Sequence, residues 1–211
     1  MVIEVEDDKI PFYTQYVSVL IVIINIIVFI IQLMDPSGYM FISEAAFVPN
    51  EFFAGKKVWT IFTSIFMHAD FIHISMNMLF FIVVADNCEK EMGHIFFLIT
   101  YLIAGLVGSL LHGIFALMVG WGDIPSLGAS GSIMGIIAVY GVLFPNNRLK
   151  YLGVVGRTIS ARTFILITFV TELIYGIISL FYLTGTAHFA HVGGFIIGVI
   201  FAGLFKLIKR D

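Results

Sequence analysis

Six long runs of apolar residues, separated by shorter polar stretches, dominate the pattern of this 211-residue chain. A helix needs about 20 mainly apolar residues to cross the hydrocarbon core of a membrane, and the runs approach that length. Turn-forming residues such as Asp35-Pro36-Ser37-Gly38 lie between them. We therefore predict an all-α fold, a polytopic membrane bundle of six transmembrane helices. The predicted helices lie near residues 17–34, 70–87, 95–119, 130–146, 161–182 and 187–207.

The composition of the chain supports a membrane environment. Hydrophobic residues make up 60% of the sequence and charged residues 12%, which is more apolar surface than one water-soluble core conceals. Membrane lipid is thus an expected partner. The net charge of −3, without a long basic stretch, excludes nucleic acid as a partner. The single cysteine, Cys88, excludes an internal disulfide and a CxxC metal site.

The predicted domain organisation is a short N-terminal tail followed by one membrane domain. Residues 1–16 are acidic and lack the positive region of a signal peptide, so the domain is expected over 17–208, with its first helix retained as an anchor. A loop of about 35–69 joins the first two helices, and its aromatic second half predicts that it lies flat in the outer leaflet. The alternative is a long, tilted second helix that begins near Val58.

Basic residues predict the orientation, because they are retained on the cytoplasmic side of short loops. Nine of the eleven fall on one side of the predicted bundle, and only Lys56 and Lys57 fall on the other. This distribution predicts a multi-pass protein of the cell membrane with both termini in the cytoplasm. The nine are Lys9, Lys90, Arg148, Lys150, Arg157, Arg162, Lys206, Lys209 and Arg210.

Four polar side chains fall at similar predicted depths in the membrane. Polar groups inside membrane helices are costly and usually mark function. Ser130 opens the fourth helix, His191 lies in the first turn of the sixth, and His73 and Asn77 lie near the start of the second. All three helices run inward from the outer side on the predicted topology. We therefore expect the four side chains to converge.

These residue types suit nucleophilic catalysis. A serine hydroxyl needs a base, and the neutral imidazole of His191 can take the Ser130 proton near physiological pH. The unpaired N–H groups at the start of the fourth helix favour developing negative charge. His73 and Asn77 are four residues apart, so they share one helix face and can point at an oxyanion.

Two GxxxG patterns predict close packing of the fourth and sixth helices. In the sixth helix the pattern lies on the same face as His191, so the base would be carried on the packed stripe. Packing alone is also enough to explain such a pattern. The supporting glycines are Gly128 and Gly131 beside the serine, and Gly194 and Gly198 after the histidine.

Other polar residues leave alternatives open. His188, one turn before His191, competes with it as the base. Glu172 lies near the middle of the fifth helix, where an ionised carboxylate costs about 2.5 to 3.5 kcal/mol, so we expect it to be protonated or hydrogen-bonded, with gating of substrate access as an alternative role. A metal-dependent protease or a metal transporter would use histidines as ligands, although HExxH is absent. The histidines of that alternative are His68, His73, His188 and His191.

Three segments resemble the signatures of the rhomboid family of intramembrane serine proteases. GASG at 128–131, HADFIHISMN at 68–77 and AHVGGFIIG at 190–198 are similar to the family patterns GxSG, HxxxxHxxxN and AHxxGxxxG. The resemblance implies a six-helix rhomboid-like bundle that cleaves peptide bonds in or next to transmembrane segments of other membrane proteins, without a cofactor or metal. It also implies the site roles: Ser130 as nucleophile, His191 as base, and His73, Asn77 and the Ser130 backbone N–H as the oxyanion hole.

Two positions depart from the family patterns. The Trp-Arg pair of the first outer loop is Trp59-Thr60 here, and the aromatic residue four positions after the serine is Met134. A flexible thioether packs differently from a ring, so the orientation of His191 is left open. An inactive rhomboid-like protein that binds membrane helices without cutting them is a further alternative.

Overall fold

The computed structural model describes residues 2–4, 10–11, 14–151 and 158–209. Each of the six predicted membrane segments is confirmed as a helix, with bounds that differ by a few residues. In chain order the helices of the described residues are α1 (Tyr16–Leu33), α2 (Met40–Ala45), α3 (Pro49–Phe53), α4 (Thr60–Thr63), α5 (Phe71–Met92), α6 (His94–Met118), α7 (Ser130–Leu143), α8 (Ala161–Ile178) and α9 (His188–Ile208).

Five of these helices, α1, α5, α6, α8 and α9, are long and apolar enough to cross a membrane. Helix α7 is also apolar but has only 14 residues. At 1.5 Å per residue it is about 21 Å long, against about 30 Å for the hydrocarbon core. At least one end of α7 therefore lies within the thickness of a membrane.

Helix α7 is at the centre of the bundle. It packs against α5, α6, α8 and α9, and ten of its 14 residues are buried. In contrast, α1 and α8 expose large apolar side chains, among them Ile27 and Ile30 on α1 and Val170 and Ile174 on α8. Such outward-facing apolar surface suits contact with lipid. The all-α membrane fold class is thus confirmed.

The segment between α1 and α5 is folded into short helices rather than one long one. Besides α2, α3 and α4 it contains a 3₁₀ helix at Ser64–Phe66, after which Met67 is extended. Asp70 then caps α5 by accepting a hydrogen bond from the backbone N–H of His73 at 2.8 Å. The alternative in which the second membrane helix begins near Val58 is therefore wrong. Burial of this segment in the outer leaflet stays a prediction.

Local hydrogen bonds brace this segment where the expected arginine is missing. Trp59 Nε1 donates to the carbonyl of Glu44 at 3.0 Å, and Lys57 Nζ donates to the carbonyl of Ser43 at 2.7 Å. Lys57 Nζ also lies 3.2 Å from the Glu44 carboxylate. The hydrogen bond between these two groups raises the pKa of Lys57. Hydrogen bonds from Lys57 and Trp59 thus join the second half of this segment to α2.

A small antiparallel sheet lies beyond the C-terminal end of α7, and the sequence pattern did not predict it. Its strands are β1 (Val2–Glu4), β2 (Arg148–Tyr151) and β3 (Thr158–Ser160), in the order β1-β2-β3. Part of the predicted N-terminal tail is therefore paired with the connection between α7 and α8. The basic residues Lys9, Arg157 and Arg210 lie outside the described residues.

Candidate active site

Ser130 and His191 are in hydrogen-bond contact at the N-terminal ends of their helices. Ser130 is the first residue of α7, and His191 lies in the first turn of α9. Ser130 Oγ is 2.7 Å from His191 Nε2. The structure thus brings together the serine and the histidine that the sequence singled out, although 61 residues separate them.

The other ring nitrogen of His191 faces a carboxylate. His191 Nδ1 is 2.8 Å from Glu172 Oε2, and His188 Nδ1 is also 2.8 Å from that same oxygen. The three side chains are 10 to 17% exposed. Glu172 is hydrogen-bonded, as expected of a carboxylate in a membrane helix, and it lies near the middle of α8.

The contact between Glu172 and His191 was not predicted from the sequence, although the signal was present. Glu172 is an acidic residue in an otherwise apolar run, and such residues usually have a specific partner. His188 and His191 are three residues apart and therefore share a helix face. The spacing did not reveal that α8 presents its carboxylate to this face, because only the tertiary packing of α8 on α9 brings the groups together.

His73 presents its ring to the space beside Ser130. The backbone N–H of Ala69 donates to His73 Nδ1 at 3.3 Å, so in the neutral ring the proton is on Nε2. A Cβ atom built on Gly128 would lie 3.0 Å from His73 Nε2 and 3.7 Å from Ser130 Oγ. His73 Nε2–H is therefore a donor close to the serine hydroxyl.

Asn77 follows His73 by one helical turn and lines the same cavity as Ser130. Its Nδ2 donates to the carbonyl of His73 at 3.0 Å. An amide nitrogen carries two hydrogens, so a second one remains for a ligand. The two α5 residues that the sequence placed on one face are thus next to the serine and histidine.

Glycines permit the close approach of α9 to α7. A Cβ atom on Gly194 would clash with the carbonyl oxygen of Gly131, and one on Gly198 would clash with the carbonyl oxygen of Gly135. Gly128 has a φ of +133°, a conformation that residues with side chains rarely adopt. The predicted supporting glycines therefore lie where the backbones of the two helices meet and where the chain turns into α7.

His68 lies behind His73 rather than in contact with the serine. It is buried, with 1% of its surface exposed, and its ring packs edge-on against that of His73 with 5.1 Å between centroids. Its backbone N–H donates to Gln32 on α1 at 3.0 Å. Burial, together with the nearby His73, lowers the pKa of His68 to about 4, so this imidazole is neutral near pH 7.

A cavity of about 570 Å³ adjoins the four residues. It is lined by side chains from α5, α7 and α8, including Phe80, Met134, Ile137 and Phe164. Met134 packs against the hydrophobic core, and the ring of His191 lies edge-on to that of His188. His191 is therefore held by hydrogen bonds to its two nitrogens.

The histidines of the metal alternative do not form one set of ligands. Within the described part of the chain, the ligand atoms that lie within 4.8 Å of one another belong to Glu172, His188 and His191. His68 and His73 are outside this set. The arrangement thus contains two of the four histidines that the metal alternative needs.

Known proteins that are similar in sequence to this chain carry rhomboid names. The Rhomboid domain profile matches residues 55–207. Rhomboid-like protease 3 of Toxoplasma gondii is 28% identical over 85% of this chain and 65% of its own length. Rhomboid protease GluP of Bacillus subtilis is 29% identical over 76% of this chain and 28% of its own length. RHOMBOID-like protein 4 of Arabidopsis thaliana is 27% identical over 84% of this chain and 41% of its own length.

The chain thus spans between 28 and 65% of the length of these curated relatives. The profile match covers well over half of the chain and includes all four converging residues. The chain therefore belongs to the rhomboid family.

Proposed function

We propose that this rhomboid protein is an intramembrane serine endopeptidase that cleaves peptide bonds in or next to transmembrane segments of other membrane proteins. The observation that carries the proposal is the 2.7 Å contact between Ser130 Oγ and His191 Nε2, which puts a nucleophile within reach of a base. Relatives named as proteases support the same reaction class.

Acylation begins when Ser130 Oγ attacks the carbonyl carbon of the scissile bond and its proton passes to His191 Nε2. A C–O bond forms, and the carbonyl π electrons move to the oxygen. Collapse of this tetrahedral intermediate breaks the C–N bond, and the leaving nitrogen takes the proton from His191. Water then attacks the acyl-enzyme by the same steps, which frees the new carboxyl terminus and restores the serine hydroxyl.

The negative oxygen of the intermediate needs donors that are already in place. His73 Nε2–H and the second amide hydrogen of Asn77 are two such donors beside the serine. The Ser130 backbone N–H is a third, because the first N–H groups of a helix have no acceptor within that helix. The N-terminal end of the α7 dipole adds to the same effect.

The cavity beside the dyad suits a polypeptide that arrives from lipid. Phe80, Ile137 and Phe164 give it apolar walls, and Thr168 and Asp70 give it polar positions where water can be held. The carbonyls of an intact helix are tied up in hydrogen bonds, so the substrate has to unwind at the cut. We therefore expect helix-breaking and small residues near the cleavage site, with no metal or cofactor.

The orientation predicted from the basic residues puts both termini in the cytoplasm and the Ser130 end of α7 toward the outside of a cell membrane. Water would then reach the acyl-enzyme from the outer side. Cysteine accessibility labelling from each side of the membrane tests this orientation.

The test of the proposed function is cleavage of a transmembrane test substrate by the purified full chain in detergent. We expect Ser130→Ala and His191→Ala to abolish cleavage and Ser130→Ala to abolish labelling by a fluorophosphonate. Ser132→Ala is the matched control, because Ser132 is buried two residues further along α7, and it should keep its activity. Full cleavage by Ser130→Ala would overturn the proposal.

Two outcomes would favour the alternatives. Loss of activity on chelation, without fluorophosphonate labelling, would indicate a metal-dependent enzyme. Binding of the test substrate by the wild-type chain without any cleavage or labelling would indicate an inactive rhomboid-like binding protein.

A further inference from the structure

Glu172 forms the connection between the predicted catalytic base and helix α8. Its Oε2 lies 2.8 Å from His191 Nδ1, while His191 Nε2 lies 2.7 Å from Ser130 Oγ. The three groups therefore form one continuous chain of hydrogen bonds from α8 through α9 to α7. Family membership and the sequence motifs assign no role to this carboxylate.

The chemistry of the groups fixes the direction of each hydrogen bond. An ionised carboxylate only accepts hydrogen bonds, so the proton of a neutral His191 ring has to be on Nδ1. The lone pair is then on Nε2, which is the nitrogen that faces Ser130. Without a partner at Nδ1 the ring would be free to populate the other tautomer, in which Nε2 has no lone pair for the serine proton.

The contact between Glu172 and His191 is largely shielded from solvent. The side chains of Glu172 and His191 are 17% and 10% exposed, so little solvent is present to replace the carboxylate as a partner for Nδ1. The positive charge that His191 gains on accepting the serine proton also develops beside the negative charge of Glu172. A charge-assisted hydrogen bond in such surroundings is stronger than one between neutral groups.

His188 contacts the same carboxylate. Its Nδ1 is 2.8 Å from the same Oε2, and Tyr175 on α8 stacks on its ring with 5.4 Å between centroids and 20° between planes. His188 Nδ1 therefore donates to the carboxylate as well. Glu172 is therefore held between its own helix α8 and helix α9.

The distances favour protons rather than a metal ion between these groups. Ligands of a tetrahedral zinc ion, at about 2.0 to 2.1 Å from the metal, lie about 3.4 Å from one another. Both nitrogens are only 2.8 Å from Oε2, which is the normal length of a hydrogen bond between these groups.

We propose that Glu172 is a positioning residue, which holds His191 in the orientation and tautomer that let Nε2 accept the Ser130 proton. The inference rests on the proposed function, since it assigns a task to Glu172 only if the Ser130 and His191 pair is catalytic. On this proposal a hydrogen bond to Nδ1, rather than an aromatic ring at the position of Met134, orients His191.

The first experiment compares steady-state cleavage by the purified full chain and its Glu172→Gln variant. The amide of Gln can donate to His191 Nδ1 and so favours the wrong tautomer. We expect kcat to fall by about 10- to 10⁴-fold, the upper limit being the effect of the equivalent change in a water-soluble serine protease triad. KM should change less than kcat, because the proposed role of Glu172 is exerted through His191 in the transition state.

His188→Gln is the matched control for this comparison. It removes the other hydrogen bond to the same carboxylate and leaves the contact between Glu172 and His191 in place. We expect its kcat to fall clearly less than that of Glu172→Gln, because the contact between Glu172 and His191 remains. Equal losses in the two variants, with KM altered in both, would indicate only structural packing and would overturn the proposal.

A spectroscopic readout tests the tautomer directly. In the chain labelled with ¹⁵N-histidine, assigned by comparison with His191→Ala, the His191 signals should show a protonated Nδ1 and an unprotonated Nε2. Glu172→Gln should shift this balance toward protonated Nε2. An unchanged tautomer together with wild-type kcat would overturn the proposal.

Chemical rescue distinguishes loss of the Glu172 carboxylate from poor folding of the variant. Glu172→Ala leaves space in the cavity that adjoins Ser130, and formate can occupy that space. We expect formate, but not chloride at equal ionic strength, to raise the kcat of Glu172→Ala at least about fivefold and to leave His191→Ala inactive. No rescue in a folded Glu172→Ala protein would overturn the inference.

Failure of this inference is distinguishable from failure of the proposed function. If Ser130→Ala is inactive and Glu172→Gln retains wild-type kcat, the serine protease proposal stands and the role of Glu172 fails. If Ser130→Ala is fully active, both fail.

Discussion

Ser18 donates two hydrogen bonds to the carboxylate of Glu89, from its backbone N–H at 2.7 Å and from its hydroxyl at 2.5 Å, across 71 residues of sequence. The backbone N–H of Val17 donates to the other carboxylate oxygen at 2.9 Å, and His94 Nδ1 lies 2.6 Å from that oxygen. Glu89 is fully buried. It supplies the acceptors for N–H groups in the first turn of α1 that have no partner within the helix.

Replacing this carboxylate should destabilise the protein. Glu89→Gln keeps one acceptor oxygen but loses the negative charge, so we expect the free energy of unfolding to fall by about 2 kcal/mol. Thermal unfolding in detergent measures the change. Glu91→Gln is the control, because Glu91 pairs with Lys209 at the surface. This variant should lower the free energy of unfolding by at most about 1 kcal/mol. Equal melting temperatures for wild type and Glu89→Gln would contradict this role.

Asn77→Ala should slow the chemical step without weakening substrate binding. Loss of one oxyanion donor lowers kcat by up to about 10²- to 10³-fold, since that hydrogen bond strengthens in the transition state. Kinetics with a transmembrane test substrate separate kcat from KM. Met76→Ala, which alters an apolar side chain lining the same cavity, should instead act mainly on KM. A normal kcat for Asn77→Ala would indicate that His73 and the Ser130 backbone N–H stabilise the oxyanion without Asn77.

Gly194→Ala should disrupt the packing of α9 on α7. The added methyl group would clash with the carbonyl oxygen of Gly131, and such overpacking costs about 1 to 3 kcal/mol. We expect a lower melting temperature and slower fluorophosphonate labelling. Gly203→Ala lies on the same helix with nothing within 4 Å of the new methyl group, and it should be as stable as the wild type or slightly more so. Identical behaviour of the two variants would argue against a tight contact at Gly194.

Acidification should destabilise the fold through His68. Its pKa is lowered from the ordinary 6.5 to about 4 in the folded protein, chiefly by burial. Between these values the unfolded chain binds a proton that the folded protein does not, so the free energy of unfolding falls as the pH drops from 6.5 toward 4, by about 3 kcal/mol. Melting temperatures across this range should depend less on pH for His68→Gln. Parallel curves for both proteins would contradict the assignment.

Much of the fold was predictable because the membrane imposes a simple pattern. Apolar runs locate helices of known minimum length, and the common direction of α5, α7 and α9 brings His73, Ser130 and His191 to one end of the bundle. The glycine spacing correctly predicted that α9 lies against α7. These features depend on local sequence and on helix direction alone.

Other features depend on contacts that local patterns do not encode. The rotation of α8 about its axis decides whether Glu172 faces lipid or His191, and the apolar residues around it are compatible with either. The strand β1 pairs with β2, whose sequence lies almost 150 residues later, so its partner is not readable from the alternation of its own side chains. The bracing of the first loop by Lys57 likewise depends on how α2 and α4 pack.

The position of α9 in the chain has a consequence for biosynthesis. Helix α7 emerges from the ribosome with its serine well before α9, which carries both the imidazole and the glycine stripe that packs against α7. A nascent chain that has inserted only the earlier helices therefore holds a hydroxyl without a proton acceptor. On the proposed mechanism, proteolytic competence arises only when α9 has docked, which keeps the unfinished protein from attacking its neighbours in the translocation machinery.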